Sequence, residues 1–239
     1  MSEMGKVLNS VKHIEGWLTD NEMKFLCVAA EKFSKTGSIV EVGSWKGRST
    51  VCLALGAKKS RSKIYAIDPH IASREDKTAN TKHEFKRNIG RFGLSGRVVP
   101  MIMKSEDAAK KWPPKRHLGL LWIDGSHEYK DVKQDFMLWE KHLQDGGLIA
   151  FHDSFFSGPS QIIKNYVIKS GKFSCIGRID YITFAIKKHE KSVVKRKLNS
   201  VYFTLLRSVM RTEHMQPEFI RKLIKSSLLN DFKKLKPVK

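Results

Sequence analysis

Residues 38–50 read SIVEVGSWKGRST, and this stretch decides the fold. Ile39, Val40 and Val42 make a short apolar run of the kind that forms a strand buried on both faces. Gly43 and Gly47 then bracket a tight turn, and a helix is expected over Ser49–Ala57. Glycine lets a backbone approach a ligand closely. The free N–H groups at a helix N-terminus favour a carboxylate or a phosphate. Glu41, at the strand end, can accept hydrogen bonds from an ammonium group. An acid beside an anion site suits the two ends of an amino-acid zwitterion better than it suits a pyrophosphate.

The same alternation continues outward from this unit. Apolar runs recur at 63–68 (KIYAID), 97–103 (RVVPMIM), 118–124 (LGLLWID) and 147–153 (GLIAFHD). Helical stretches are expected at Thr81–Phe92, Ser105–Lys111, Tyr129–Leu143 and Gln161–Lys169. Successive β-α units predict an α/β, Rossmann-like, doubly wound sheet with helices on both faces. Two further runs, 173–179 and 181–187, follow without a long helix between them and read as a terminal antiparallel hairpin. The expectation is seven strands, mostly parallel. Pro100 cannot donate to a ladder, which argues for an edge position of its strand. Thr19 and Glu22 have capping-box spacing, with Met23, Leu26, Cys27 and Ala30 on one face of the helix that follows and Gly37 ending it. Three parts are expected: a helical lead-in at 1–35, the α/β domain at 36–188 and a basic helical extension at 189–239.

The chain has 239 residues, 41% of them hydrophobic, enough for a substantial core and too apolar for a disordered chain. No run approaches the ~18 apolar residues of a membrane span, and the charged N-terminus lacks the apolar segment of a secretory signal. Three cysteines without paired spacing point to thiols in a reducing compartment. The expected location is cytoplasmic. The net charge is +21, which implies an anionic partner or surface. From Lys187 to Lys239 there are fifteen Lys/Arg and four Asp/Glu, a net of +11, so about half the excess lies in the last fifth of the chain.

The chemistry-bearing residues lie at the C-terminal ends of the expected strands, where open α/β sheets bind ligands. Asp68, in YAIDPH, ends the second strand and can take both ribose hydroxyls of an adenosine; it can equally form an Asx-turn before Pro69. Asp124 ends the fourth strand, His127 follows in its turn, and His152 and Asp153 end the fifth. The fourth and fifth strands should be neighbours, so Asp124 and Asp153 can converge to share a proton or hold a hard cation. His127, near two acids, is the candidate general base.

The set EVGSWKGRST, AIDPH, SEDAA, IDGSHEY and GGLIAFHD resembles the class I S-adenosylmethionine-dependent methyltransferases, over about residues 14–188. Within them it resembles the branch of bacterial sugar and macrolide-sugar O-methyltransferases. The resemblance implies that Glu41, Gly43, Ser44, Trp45 and Gly47 hold the methionine end of S-adenosylmethionine. It implies that Asp68 takes the ribose, that Ser105 and Glu106 lie at the adenine, and that Asp124 borders the cofactor. In metal-using relatives, acids matching Asp124 and Asp153 bind a divalent ion, usually Mg2+. Here His152 stands where a second acid is common, so the metal set would be Asp124, His152 and Asp153, for magnesium, a softer ion or no metal at all. His127 and Asp124 are the expected catalytic pair, acting on a hydroxyl of a small-molecule, sugar or glycan acceptor. The acceptor pocket is expected to involve the lead-in, the 69–80 loop and the Ser154–Ser160 loop.

In the extension, Val194, Leu198, Val201, Leu205 and Val209 form one stripe, with Tyr202, Leu206 and Met210 beside it. Lys195, Arg196, Lys197, Arg207 and Arg211 fall around it, and Gln216–Pro217 interrupts the pattern. Such a helix suits peripheral contact with the inner face of an anionic membrane. It equally suits docking on the catalytic domain or on a second copy in a homo-oligomer. The high charge also raises an RNA methyltransferase. The sequence Asp124–His127 (DGSH), where base N-methyltransferases carry an N-P-P-Y-like motif, counts against nucleic acid. A non-catalytic protein that binds the cofactor or scaffolds an assembly is the third alternative; acids retained at 68, 124 and 153 count against it.

Overall fold

The computed structural model describes residues 8–72 and 81–211, with the side chains at 206, 207 and 209–211 left out. The 73–80 part of the loop and everything from 212 onward, including Gln216–Pro217, lie outside the described residues, as do the side chains of the stripe residues Leu206, Val209 and Met210.

The described elements are α1 (Asp20–Phe33), β1 (Ser38–Val42), α2 (Arg48–Gly56), β2 (Ile64–Ile67), α3 (Lys82–Arg91), β3 (Val98–Met101) and α4 (Ser105–Lys110). There follow β4 (Leu118–Ile123), α5 (Tyr129–Trp139), β5 (Leu143–Phe151), α6 (Ser157–Ile162), β6 (Phe173–Ile179), β7 (Ile182–Lys187) and α7 (Val193–Arg211). The seven strands form one sheet in the order β3-β2-β1-β4-β5-β7-β6. β1 to β5 pair in parallel, and β7 runs antiparallel to both β5 and β6. The order reverses direction between β1 and β4, so the crevice beyond the C-terminal ends of these two strands is the topological switch point. Pro100 sits in β3, an edge strand, as its missing N–H demands.

Side chains of the central strands alternate between two cores. Ile39, Leu120, Trp122, Leu148 and Ala150 face a core closed by the lead-in, α1 and α2. Val40, Val42, Leu121, Ile123, Ile149 and Phe151 face a second one, closed by α4, α5 and α6. Trp122 and Trp139 are wholly buried, one on each side; each such side chain contributes about 1.5–3 kcal/mol. The lead-in supplies Val11, Ile14 and Leu18 to the first core.

Several boundaries differ from expectation. α1 ends at Phe33, with Ser34 as its C-cap, four residues short of Gly37. β5 begins at Leu143, because Gly146, at φ +79°, absorbs an irregularity in the ladder rather than ending it. α6 starts at Ser157, ahead of Gln161, and widens into a π-helix over Ile163–Ile168. Pro159 is tolerated because a first-turn N–H has no partner to lose.

The stripe of α7 also departs from one of its two expected placements. Val194, Leu198, Val201 and Leu205 are exposed and do not dock on the domain. The contact runs through Phe203, on the opposite side of the helix, which is buried and stacks on Phe155 at 6.1 Å between ring centroids. Among the described residues no helix is long and apolar enough to cross a membrane.

Candidate active site

The β1–α2 turn is shaped by its neighbour strand. Gly43 has φ +88°, and a β-carbon there would overlap the Asp124 carbonyl oxygen at the end of β4. This glycine is required by the approach of two strands, over and above any approach of a ligand. Trp45 (φ 41°) and Gly47 (φ 90°) also adopt left-handed conformations, and Gly47 caps α2 without any side-chain hydrogen bond. The first-turn N–H groups of α2 thus have no side-chain cap, as an anion site at that end needs.

Asp68 organises this turn. Its Oδ2 accepts hydrogen bonds from the backbone N–H of Ser44 (3.0 Å) and Trp45 (2.8 Å). Its Oδ1 accepts from the N–H of His70 at 2.7 Å, so the Asx-turn forms as well. Ser105 and Glu106 lie just past the end of β3, the next strand outward. Both are engaged with α5: Ser105 Oγ accepts from Trp139 Nε1 at 2.9 Å, and Glu106 accepts from Gln134 at 2.5 Å.

Glu41 lies near the end of β1. It is completely buried behind the turn, and its two oxygens accept from the hydroxyls of Ser49 and Thr50, each at 2.5 Å. Burial pushes its pKa up to about 8, against the two hydroxyl hydrogen bonds; the charges of Asp124 and Asp68 push in the same direction as burial. Burial thus favours the protonated acid, which lessens its repulsion with Asp124 and Asp68.

Asp124, His127, His152 and Asp153 come together at the ends of β4 and β5. His152 Nδ1 lies 3.1 Å from Asp124 Oδ1 and 3.2 Å from Asp153 Oδ2. Its Nε2 points at the buried Glu22, 3.5 Å away. Burial lowers the pKa of His152, but the Asp124 charge and the close contacts with Asp124, Asp153 and Glu22 outweigh it and raise the pKa well above the usual value. Asp153, at φ 45°, is held well below the usual carboxylate range, because hydrogen bonds from His127 and His152 overcome its burial. Asp124 moves the other way: burial raises it despite His152. His127 Nε2 lies 3.0 Å from Asp153 Oδ2, and its ring stacks on Phe156 at 4.6 Å and 20°.

Several partners in this site carry no strong sequence signal. Glu22 reads as a capping-box acid and is one, with the Thr19 N–H at 2.8 Å, yet it also takes the Tyr181 N–H and faces His152. Arg48 donates to the carbonyls of Lys12, Ile14 and Gly16, binding the lead-in across the turn. Trp17, 70% exposed, packs on Trp45 with ring centroids 4.5 Å apart and the planes tilted by 35°. Two exposed aromatics, Trp17 and Phe156 (51%), thus flank the site.

Comparison with known proteins agrees with this geometry. Residues 40–154 match the model of a family described as a methyltransferase domain. An O-methyltransferase from Bacillus cereus, solved with S-adenosylhomocysteine, superposes with a TM-score of 0.56 at 18% identity, over 77% of this chain and 90% of that one. The O-methyltransferase TomG from Streptomyces achromogenes, of tomaymycin synthesis and solved with S-adenosylmethionine, gives 0.57 at 12% identity, over 79% and 91%. The likeness to these enzymes is one of fold, with a methyltransferase-domain match over residues 40–154, just under half of the chain. Protein R132 of Acanthamoeba polyphaga mimivirus, described as uncharacterized, is 32% identical over 119 residues, 48% of this chain. The chain spans about half the length of that curated relative.

Proposed function

We propose that the protein transfers the methyl group of S-adenosylmethionine to a hydroxyl of a small-molecule, sugar or glycan acceptor, with His127 as the general base. The observation that carries this is the 3.0 Å contact between His127 Nε2 and Asp153, at the rim of the crevice and beside an exposed aromatic ring. The sulfonium methyl, when bound, is already electrophilic, so the protein has only to deliver a nucleophile in line with it.

The residues divide that task. Asp68 and the 43–47 turn hold the nucleoside and the methionine end, with the uncapped α2 N-terminus facing the methionine carboxylate. Ser105 and Glu106 border the adenine. His127 is held by Asp153 through Nε2 and takes the acceptor's proton on its other ring nitrogen. Asp153 stays ionised and stabilises the imidazolium that forms. The exposed faces of Trp17 and Phe156 fit an aromatic ring or the C–H face of a sugar. In this division 36–188 is the catalytic domain, between the lead-in 1–35 and the extension 189–239.

A divalent cation also fits. The ligand atoms of Asp124, His152 and Asp153 all lie within 4.8 Å of one another. With Nδ1 on the ion, His152 would keep Nε2–H directed at Glu22, as metal-bound histidines commonly do. Such an ion would lower the pKa of an acceptor hydroxyl. One imidazole with two carboxylates suits manganese, iron or zinc as well as magnesium.

The test is calorimetric titration with S-adenosylhomocysteine, followed by label transfer from S-adenosylmethionine to a panel of sugars and phenols. Uptake of the nucleoside with transfer to oxygen is expected. No uptake, or transfer only to nitrogen, overturns the proposal.

A further inference from the structure

α7 leaves an apolar face toward solvent on a helix whose charge is of one sign. Val194, Leu198, Val201 and Leu205 are 67, 63, 57 and 61% exposed and recur at i, i+4, i+7 and i+11, one line along the helix. Lys195 and Lys197, also exposed, flank this line. The nineteen residues hold five Lys/Arg and no acid. The helix is nevertheless fixed to the domain: Phe203 packs on Phe155, and Arg196 reaches in over Gly171. The anchor sets which face is presented.

We propose that this face is a docking surface for a bilayer containing anionic phospholipid. The stripe would enter the headgroup–acyl boundary, with Lys195 and Lys197 extending their stems along it to reach phosphates. Charge selects this occupant over a second copy. A copy would bring the same exposed Lys195 and Lys197, with no acid of the helix to pair them, on a chain already at +21. A bilayer surface brings the opposite sign, and each basic residue near it adds to the attraction. The placement also has a bearing on the active site. Phe155, which receives Phe203, directly precedes Phe156, which stacks on His127. A protein seated through α7 would hold its acceptor loop close to the lipid surface. This surface is independent of the methyl-transfer proposal, and the two fail separately.

The test is co-sedimentation of the full chain with vesicles of phosphatidylcholine alone or mixed equally with phosphatidylglycerol. It is run on the wild type and on Leu198→Glu/Val201→Glu, with circular dichroism and the melting temperature as the controls for folding. Both substitutions fall on exposed positions. Expected are binding to the mixed vesicles that weakens with salt, at least about tenfold weaker binding to neutral ones, and a loss of about tenfold or more in the variant. Three results would overturn the proposal. One is a wild type that ignores anionic vesicles. Another is a variant that binds as well as wild type, which would place the attraction elsewhere in the basic extension. The third is a wild-type dimer by light scattering that the variant dissociates, with no vesicle binding, which would make the face a seam between copies.

Discussion

Gly43 and Asp124 hold the ends of β1 and β4 together so closely that the carbonyl oxygen of Asp124 occupies the space of a side chain on Gly43. The positive φ of Gly43 adds a second obstacle to substitution. Gly43→Ala is expected to destabilise the fold by about 2–4 kcal/mol, through overlap and backbone strain together. Thermal denaturation measures it; a variant that melts with the wild type would show that the two strand ends can separate freely.

His127 touches Asp153 and Phe156 but closes no core, so its removal should be felt in chemistry rather than in folding. His127→Ala is expected to lower kcat by about 100-fold or more while S-adenosylhomocysteine affinity stays within twofold. Turnover at the wild-type rate would rule out a base at this position.

Asp68 serves both the turn and the proposed ribose contact. In Asp68→Asn one accepting oxygen becomes a donor, which sets two N–H groups against each other or leaves one unpaired. A loss of about 1–3 kcal/mol in stability and a drop of more than about tenfold in nucleoside affinity are expected. Calorimetry showing undiminished affinity would place the ribose elsewhere.

Glu41 gives a pH dependence with a defined sign. In the unfolded chain it ionises near its ordinary value of 4.5, whereas folded it keeps its proton to about 8. Between those values the unfolded state binds fewer protons, so Glu41 costs stability as pH rises, on the order of 1 kcal/mol per pH unit, and levels off above about 8. Glu41→Gln keeps the shape and removes the titration. The melting temperature of the wild type should therefore fall relative to the variant between pH 5 and 8. Parallel profiles would mean that the folded acid is already ionised.

If the Asp124, His152 and Asp153 group holds a cation, exhaustive chelation should abolish turnover, and Mn2+ or Zn2+ should restore it at least as well as Mg2+. Full activity after chelation, with no metal found by elemental analysis, would leave His152 as an imidazolium clamp between two carboxylates.

The order of β-α units and the edge position of Pro100 were legible because each is a local consequence of period or of a missing N–H. The convergence of Asp124, His152 and Asp153 was legible for a similar reason, since each ends a strand and those strands adjoin. The start of α6 was not. Gly158 and Pro159 read as breakers, whereas proline is at home in a first turn and Gly158 is needed because a β-carbon there would strike the His127 carbonyl. Nor could spacing pair Glu22 with His152, 130 positions apart, or say that Phe203 rather than the aliphatic stripe would turn inward. Both are decided by tertiary packing, which period and propensity do not encode.

Arg48 belongs to the first turn of α2, yet its guanidinium grips carbonyls of the chain between Lys12 and Gly16. The segment ahead of α1 is therefore a roof bolted down from below rather than a loose leader. Cutting the chain at α1 would strip Arg48 of these carbonyl partners and remove Val11, Ile14 and Leu18 from the core.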